Sequence, residues 1–256
     1  MRIGEINDIS IEYDPNQPSM EIFTIGCNFD CSFCPKIHLK NKNAGKDFSI
    51  DELLGIIKTN LLVKGIVILG GEPTLQPELI SLCKEIKGLG KHISIETNGT
   101  NPNVIKALLP NVDKFILKIY SPLKDEKLFK FTNVRVKPEF IIKSFKILND
   151  SSNIEFDVLT TFIGGLTQPK DIHSIIAFLK KNNFSGNYVL KQYRLSQKNN
   201  NGDLLSFYKP EHYILVKTLE KYRNKKLKFN ILLKDEVFDY KNLKDIFNQD
   251  INNITI

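Results

Sequence analysis

No stretch of the 256-residue chain comes near the roughly 18 consecutive apolar residues that a membrane-crossing helix requires. Nor does the opening segment, Met1 to Gln17, have the apolar core of a signal peptide; it carries Glu5, Asp8, Glu12 and Asp14 instead. These absences set the expectation of a soluble, cytoplasmic protein with no membrane partner. No internal repeat and no low-complexity linker breaks the chain, so solenoid and tethered-module architectures are not expected. The charge balance is +7 with a pI near 9.0, but the lysines are spread along the whole sequence. There is no compact basic and aromatic patch, so nucleic acid has no localised seat, and the excess reads as a solvated lysine-rich surface. Cysteine is scarce at four residues, and in a reducing compartment clustered cysteines are metal ligands before they are disulfides.

What is present suffices for a core: 41% of residues are hydrophobic, compatible with one α/β domain. Runs rich in Ile, Val and Phe alternate with amphipathic stretches, the pattern of repeated βα units on a parallel sheet. Strands are expected at Glu21–Ile25, Gly65–Leu69, His92–Glu96, Lys114–Ile119, Ile154–Phe162, Tyr188–Tyr193 and Lys228–Leu233. Between them, Ser49 and Glu52 form a capping box that opens a helix running to about Asn60. Prolines near the first turn mark helices at Pro77–Lys87, Pro102–Leu108, Pro138–Leu148, Pro169–Asn182 and Pro210–Tyr222, since their fixed φ suits a helix start. About six βα units fall short of the eight that close a barrel, so the expected fold is α/β, an open partial (βα)6 TIM-like barrel of mostly parallel strands. Residues 1–20 form an N-terminal extension or hairpin with a turn at Ile6–Ile9, residues 21–195 the core barrel, and residues 196–256 a C-terminal helix and strand extension. Ser196 to Asp203 reads as a loop.

Three of the four cysteines, Cys27, Cys31 and Cys34, share one C-x3-C-x2-C loop after the first barrel strand. Three thiolates suit a [4Fe-4S] cluster with one iron left without a protein ligand, and an open iron can bind and activate a substrate or cofactor. With Cys83 alone on a helical pattern, where a cysteine is usually a small core residue, no second cluster site is left. His38 offers a rival, a Cys3His zinc site and with it a zinc-containing nucleic-acid-binding module. Gly70-Gly71-Glu72-Pro73 at the end of the second barrel strand has no use in a zinc knuckle, and catalytic loops of βα barrels leave from those strand ends.

Together the cysteine loop, with Phe33 before its last cysteine, and Gly70–Pro73 resemble the signature of the radical S-adenosylmethionine (SAM) enzymes. Within that superfamily the strand-end segments resemble the anaerobic ribonucleotide reductase activating protein and the pyruvate formate-lyase activating enzyme. The resemblance implies that Cys27, Cys31 and Cys34 hold a [4Fe-4S] cluster. It implies that the backbone of Gly70 to Pro73, its turn fixed by Glu72, binds the amino end of SAM. Reductive cleavage of SAM then gives a 5′-deoxyadenosyl radical that abstracts hydrogen. Glu96-Thr97-Asn98-Gly99 resembles a Thr-Asn-Gly segment and brings Thr97 and Asn98 near SAM or substrate. Ile163 and Gly164 are the adenine-side residues, and Gln192 hydrogen-bonds substrate. On the fourth strand Lys118 stands where the activating enzymes carry an acidic residue and Tyr120 where they carry lysine. Strand alternation would point both the same way, offering a cation and a hydroxyl as catalytic groups. The implied partners are a glycyl radical enzyme and a flavodoxin- or ferredoxin-like electron donor. The altered Lys118/Tyr120 pair keeps a small-molecule alternative, chemistry like that of 7-carboxy-7-deazaguanine synthase.

Overall fold

The computed structural model describes residues 1–13, 17–194 and 207–249, and within them the chain divides into two compact units. The first comprises residues 1–118 and 132–156, the second residues 119–131 and 157 onward. The expected loop from Ser196 to Asp203 lies outside the described residues. Among the described residues no helix is long and apolar enough to cross a membrane.

In the first unit the strands are β1 (Arg2–Ser10), β2 (Ser19–Thr24), β3 (Lys46–Asp47), β4 (Gly65–Gly70), β5 (His92–Thr97) and β6 (Lys114–Lys118), ordered β3-β1-β2-β4-β5-β6. From β2 to β6 every pairing is parallel, as in the expected mostly parallel α/β sheet. Parallel strands are buried on both faces, which is why β4 reads as an unbroken Ile, Val and Leu run and its neighbours as apolar residues interrupted by polar ones. Register stacks Met20 on Ile66 and Ile93, and Ile22 on Ile68, Ile95 and Phe115, all without solvent exposure. The opposite face carries Phe23, Val67 and Leu69, which pack with Ile25 and Leu39 under Tyr13 and Ala44. Helices α1 (Ile50–Thr59), α2 (Leu79–Gly88), α3 (Pro102–Leu108) and α5 (Pro138–Asn149) complete the unit. The capping box at the start of α1 is made as expected: Ser49 Oγ accepts from Glu52 N, and Glu52 Oε2 accepts from Ser49 N at 2.7 Å.

One local expectation fails. Ile6 to Ile9 is not a turn, because β1 runs unbroken to Ser10 and pairs antiparallel with β2. The cause is an alternative partner for the polar residues: Asn7 and Ser10 both donate to the buried Glu21 on β2, at 2.7 and 2.6 Å, so Asn7 is used across the ladder.

The second unit holds β7 (Glu155–Phe162, whose first residues belong to the first unit), β8 (Asn187–Gln192), β9 (Asn230–Lys234) and β10 (Lys241–Asn242) in that order. Its first three strands are parallel and β10 turns back antiparallel. With them go α4 (Asp125–Thr132), α6 (Pro169–Lys181), α7 (His212–Glu220) and α8 (Leu243–Gln249). Neither α4 nor α8 was expected from the sequence, both being short and charged.

Candidate functional site

In the first unit the site is assembled on the C-terminal ends of neighbouring parallel strands. The cysteine loop follows β2, the Gly-Gly-Glu-Pro turn follows β4, and the Thr-Asn-Gly segment follows β5. Backbone bonds tie the first two together: Gly71 N–H donates to Thr24 O at 2.9 Å and Glu72 N–H to Gly26 O at 2.8 Å. Gln76 Nε2 adds a third, to Ile25 O at 2.7 Å. So close is this approach that a Cβ on Gly71 would lie 2.0 Å from Gly26 O, and Gly70 has φ +119°, outside the range of most side chains. These glycines let one loop lie on the other.

Glu72 is the knot. Its carboxylate is 1% exposed and accepts from Thr74 N (3.2 Å), Thr74 Oγ1 (2.5 Å), Thr97 Oγ1 (2.6 Å) and Asn98 N (2.7 Å). Burial pushes its carboxyl above the usual range, opposed by the Asn98, Thr74 and Thr97 hydrogen bonds. The third segment is tied to the cysteine loop by a ring of amides: Asn98 Nδ2 donates to Asn28 Oδ1 (2.8 Å), and Asn28 Nδ2 to Thr100 Oγ1 (2.7 Å). Thr100 Oγ1 in turn donates to Asn98 Oδ1 at 2.7 Å. Thr97 and Asn98, expected near the site, therefore fix both Glu72 and the cysteine loop.

Within that loop Phe29 and Phe33 are buried at 4% exposure, Cys31 is buried, and Cys27 and Cys34 are half-buried. Lys40 clamps the loop by donating to Asp30 Oδ1 at 2.6 Å and Cys31 O at 3.3 Å. Burial pushes the Cys27 thiol up to about 11; the Phe29 amide pulls it back, and the negative charges of Glu72 and Cys34 push it further. Burial, then the charges of Cys27 and Cys34, raise Cys31 to about 12. The three sulfurs thus lie within electrostatic reach of one another, and Cys27 and Cys31 hold their protons until a metal takes their place.

Among the described residues no three His, Cys, Asp or Glu side chains converge as a group for a single metal ion. An iron-sulfur cube asks for a different arrangement, because each of its thiolates bonds a different iron. Three thiols on one loop match the donor chemistry of such a cluster. His38, the fourth ligand of the zinc alternative, stands on a short 3-10 helix with its Nε2 3.9 Å from Glu5 Oε2.

Lys118 ends β6 and gives a 2.9 Å ion pair to Glu96 Oε1, while Tyr13 donates to Glu96 Oε2, also at 2.9 Å. Because β6 stops at Lys118, the alternation argument does not extend to Tyr120, which lies beyond the strand. That part of the expectation is corrected. Neither Glu96 nor Asn28 was assigned a role from the sequence. The available signal was a cost: an acid on a buried strand needs a partner, and Lys118 two positions past its ladder neighbour Ile116 supplies one.

In the second unit Ile163 is buried, and its amide accepts no role in the sheet but donates to Thr167 Oγ1 at 3.0 Å. Gly164 forms a two-bond bridge with Tyr208 (3.0 and 3.1 Å), whose ring occupies the space a Cβ would need. Gln192, at the end of β8, has both ends of its amide engaged. Nε2 donates to Pro210 O (2.7 Å) and Glu236 Oε1 (3.3 Å), and Oε1 accepts from Glu236 N (3.1 Å). In this structure it is a strut between the segment leading into α7 and the end of β9. Next to it the buried Asp235 accepts from Val237 N, Phe238 N and the His212 ring at 2.9, 2.8 and 2.6 Å.

Comparison with known proteins agrees with this construction. The family model described as the radical SAM superfamily matches residues 22–179. A Methanocaldococcus jannaschii protein provisionally named a glycyl-radical enzyme activating enzyme is 32% identical over 70% of this chain and 75% of its own. A 7-carboxy-7-deazaguanine synthase of Halobacterium salinarum is 32% identical over 32% of each chain. Among solved structures, SuiB of Streptococcus suis matches with a TM-score of 0.62 at 19% identity, over 81% of this chain and 47% of its own, so the chain spans about half of that protein. On the strength of the family match and the archaeal relative, the chain belongs to the radical SAM superfamily, an enzyme family whose cofactors are a [4Fe-4S] cluster and S-adenosylmethionine.

Proposed function

We propose that this enzyme is an activating enzyme, whose substrate hydrogen belongs to a glycine of a partner protein. When bound, the cluster and SAM supply an electron and a 5′-deoxyadenosyl radical, the agent of hydrogen abstraction. The chain's own residues hold and shield them. Cys27, Cys31 and Cys34 give the cluster its three thiolates, and the burial of Cys31, Phe29 and Phe33 limits the water that reaches the loop. Gly70 to Pro73 present backbone to the amino end of SAM, and Glu72 keeps that turn in place through Thr74, Thr97 and Asn98. A flavodoxin- or ferredoxin-like protein delivers the electron.

The single observation that carries the reading is the direct bonding of the cysteine loop to the Gly-Gly-Glu-Pro turn through Gly71, Glu72 and Gln76. It fixes two cofactor-binding loops as one piece, the pre-organisation that such chemistry requires. The relative from M. jannaschii supports the choice of a protein glycine as substrate. The test is electron paramagnetic resonance on anaerobic mixtures of the reconstituted enzyme, SAM, a reductant and candidate glycyl radical enzymes. A glycine-centred radical on a partner supports the proposal; its absence with every candidate, alongside continued 5′-deoxyadenosine formation, contradicts it.

Lys118, at a position acidic in activating enzymes, and the synthase relatives favour a second reading, radical chemistry on a small molecule as in 7-carboxy-7-deazaguanine synthase. That reading stands if the enzyme forms 7-carboxy-7-deazaguanine and no glycyl radical.

A further inference from the structure

Glu96 and Lys118 face the same side of the sheet as Phe23, Val67 and Leu69. Val67 is in register with Ser94, Glu96 lies two residues beyond Ser94 and is in register with Ile116, and Lys118 is two residues past that. The pair is drawn in from water, with side chains 26% exposed for Lys118 and 10% for Glu96. A surface ion pair could be dismissed as a weak contact, but two charges this sheltered cost desolvation and need a reason to be there. Tyr13 reinforces the arrangement by donating to the second oxygen of the same carboxylate. Glu96 therefore has both oxygens engaged and holds the ammonium in one place.

That place adjoins the junction between the Thr-Asn-Gly segment and the cysteine loop. Thr97 and Asn98 directly follow Glu96, and they bond Glu72 and Asn28, the residue next to Cys27. Lys118 follows Leu117, the ladder partner of Thr97, so its strand end is beside the same junction. Its charge acts at both Cys27 and Cys31, and that of Lys40 acts at Cys31 as well.

We propose that Glu96 is a positioning residue that holds the Lys118 ammonium beside the cysteine loop, where it offsets the negative charge a [4Fe-4S] cluster gains on one-electron reduction. The inference rests on the assignment of the cluster to Cys27, Cys31 and Cys34 made above. It gives this chain a built-in cation that makes the cluster easier to reduce by an external low-potential donor. No proton or bond changes hands at Lys118; its role is a fixed charge.

The test is an anaerobic redox titration of the reconstituted full-length chain, followed by electron paramagnetic resonance of the reduced cluster. Lys118→Gln should cut the ratio of reduced to oxidised cluster at a fixed potential about tenfold, which is a fall of about 59 mV for one electron. Lys118→Arg should stay close to wild type. In a Glu96→Gln background the effect of Lys118→Gln should shrink by half or more, since the ammonium is no longer held. A midpoint unchanged in Lys118→Gln, with only reduced thermal stability, overturns the inference. So does a Lys118→Gln shift of equal size in both backgrounds. Should Lys118→Gln fail to fold, Lys118→Met read against Lys118→Arg serves instead. A wild-type chain that assembles no cluster overturns the cluster assignment and this inference with it, whereas a cluster indifferent to Lys118 overturns the inference alone.

Discussion

Replacing Glu72 with alanine should loosen three loops at once. The carboxylate accepts two backbone amides, Thr74 N and Asn98 N, and the hydroxyls of Thr74 and Thr97. The threonine hydroxyls can turn to other acceptors, but the two amides are held by their backbones. Leaving each buried amide unpaired costs about 1–3 kcal/mol, so Glu72→Ala should destabilise the site by roughly 2–6 kcal/mol. Glu72→Gln is gentler, because one amide still meets an oxygen and the other faces an NH2, a cost of about 1–3 kcal/mol offset by removal of a buried charge. The pH dependence separates these terms. Burial raises the Glu72 carboxyl in the folded protein, so the folded state binds a proton where the unfolded state, near 4.5, has lost it. Stability contributed by Glu72 is therefore greatest at low pH and falls as pH rises from about 4.5 through the raised folded value; Glu72→Gln should lack that fall. Because the chain has two compact units and need not unfold in one step, the assay is amide hydrogen exchange at Thr74 and Asn98, read beside urea unfolding. Unchanged exchange at both amides in Glu72→Ala would refute the claim that this carboxylate ties the loops.

Gly71→Ala places a methyl 2.0 Å from Gly26 O and should force the turn away from the cysteine loop, costing about 1–3 kcal/mol and most SAM affinity in isothermal titration; undiminished affinity contradicts the packing. In the metal-free protein Cys27, pushed up to about 11, is on the order of a thousandth thiolate at pH 8, so its iodoacetamide alkylation should rise tenfold per pH unit toward 11 in peptide mass mapping. Alkylation at the rate of an ordinary free thiol would show that burial does not protect it. Cys83→Ala, on α2 with no exposure, should lower stability by about 1 kcal/mol and leave cluster content unchanged, as measured by iron analysis.

The parallel strands were legible because burial on both faces demands Ile and Val runs, and the proline-started helices because proline sets its own φ; Pro102, Pro138 and Pro169 each open a helix. What escaped was chemistry that depends on partners far along the chain. Asn7 reads as a turn residue until Glu21 is placed opposite it, and Gln192 as a substrate ligand until Pro210 and Glu236 close around its amide. Strand alternation gave the face of Lys118 but not the end of β6, so Tyr120 fell outside its reach. The motif residues Gly70, Gly71, Glu72, Thr97 and Asn98 were singled out by resemblance. The reason they work together, one buried carboxylate and a ring of amides through Asn28, became visible only in three dimensions.

The most direct test of the account is 5′-deoxyadenosine formation by the anaerobically reconstituted chain given SAM and a low-potential reductant. The wild-type protein and Cys83→Ala should produce it, while Cys27→Ala, Cys31→Ala and Cys34→Ala should produce none. Equal yields from the three loop variants, or none from the wild type with a full complement of iron and sulfide, would contradict the assignment of those three cysteines as the seat of the chemistry.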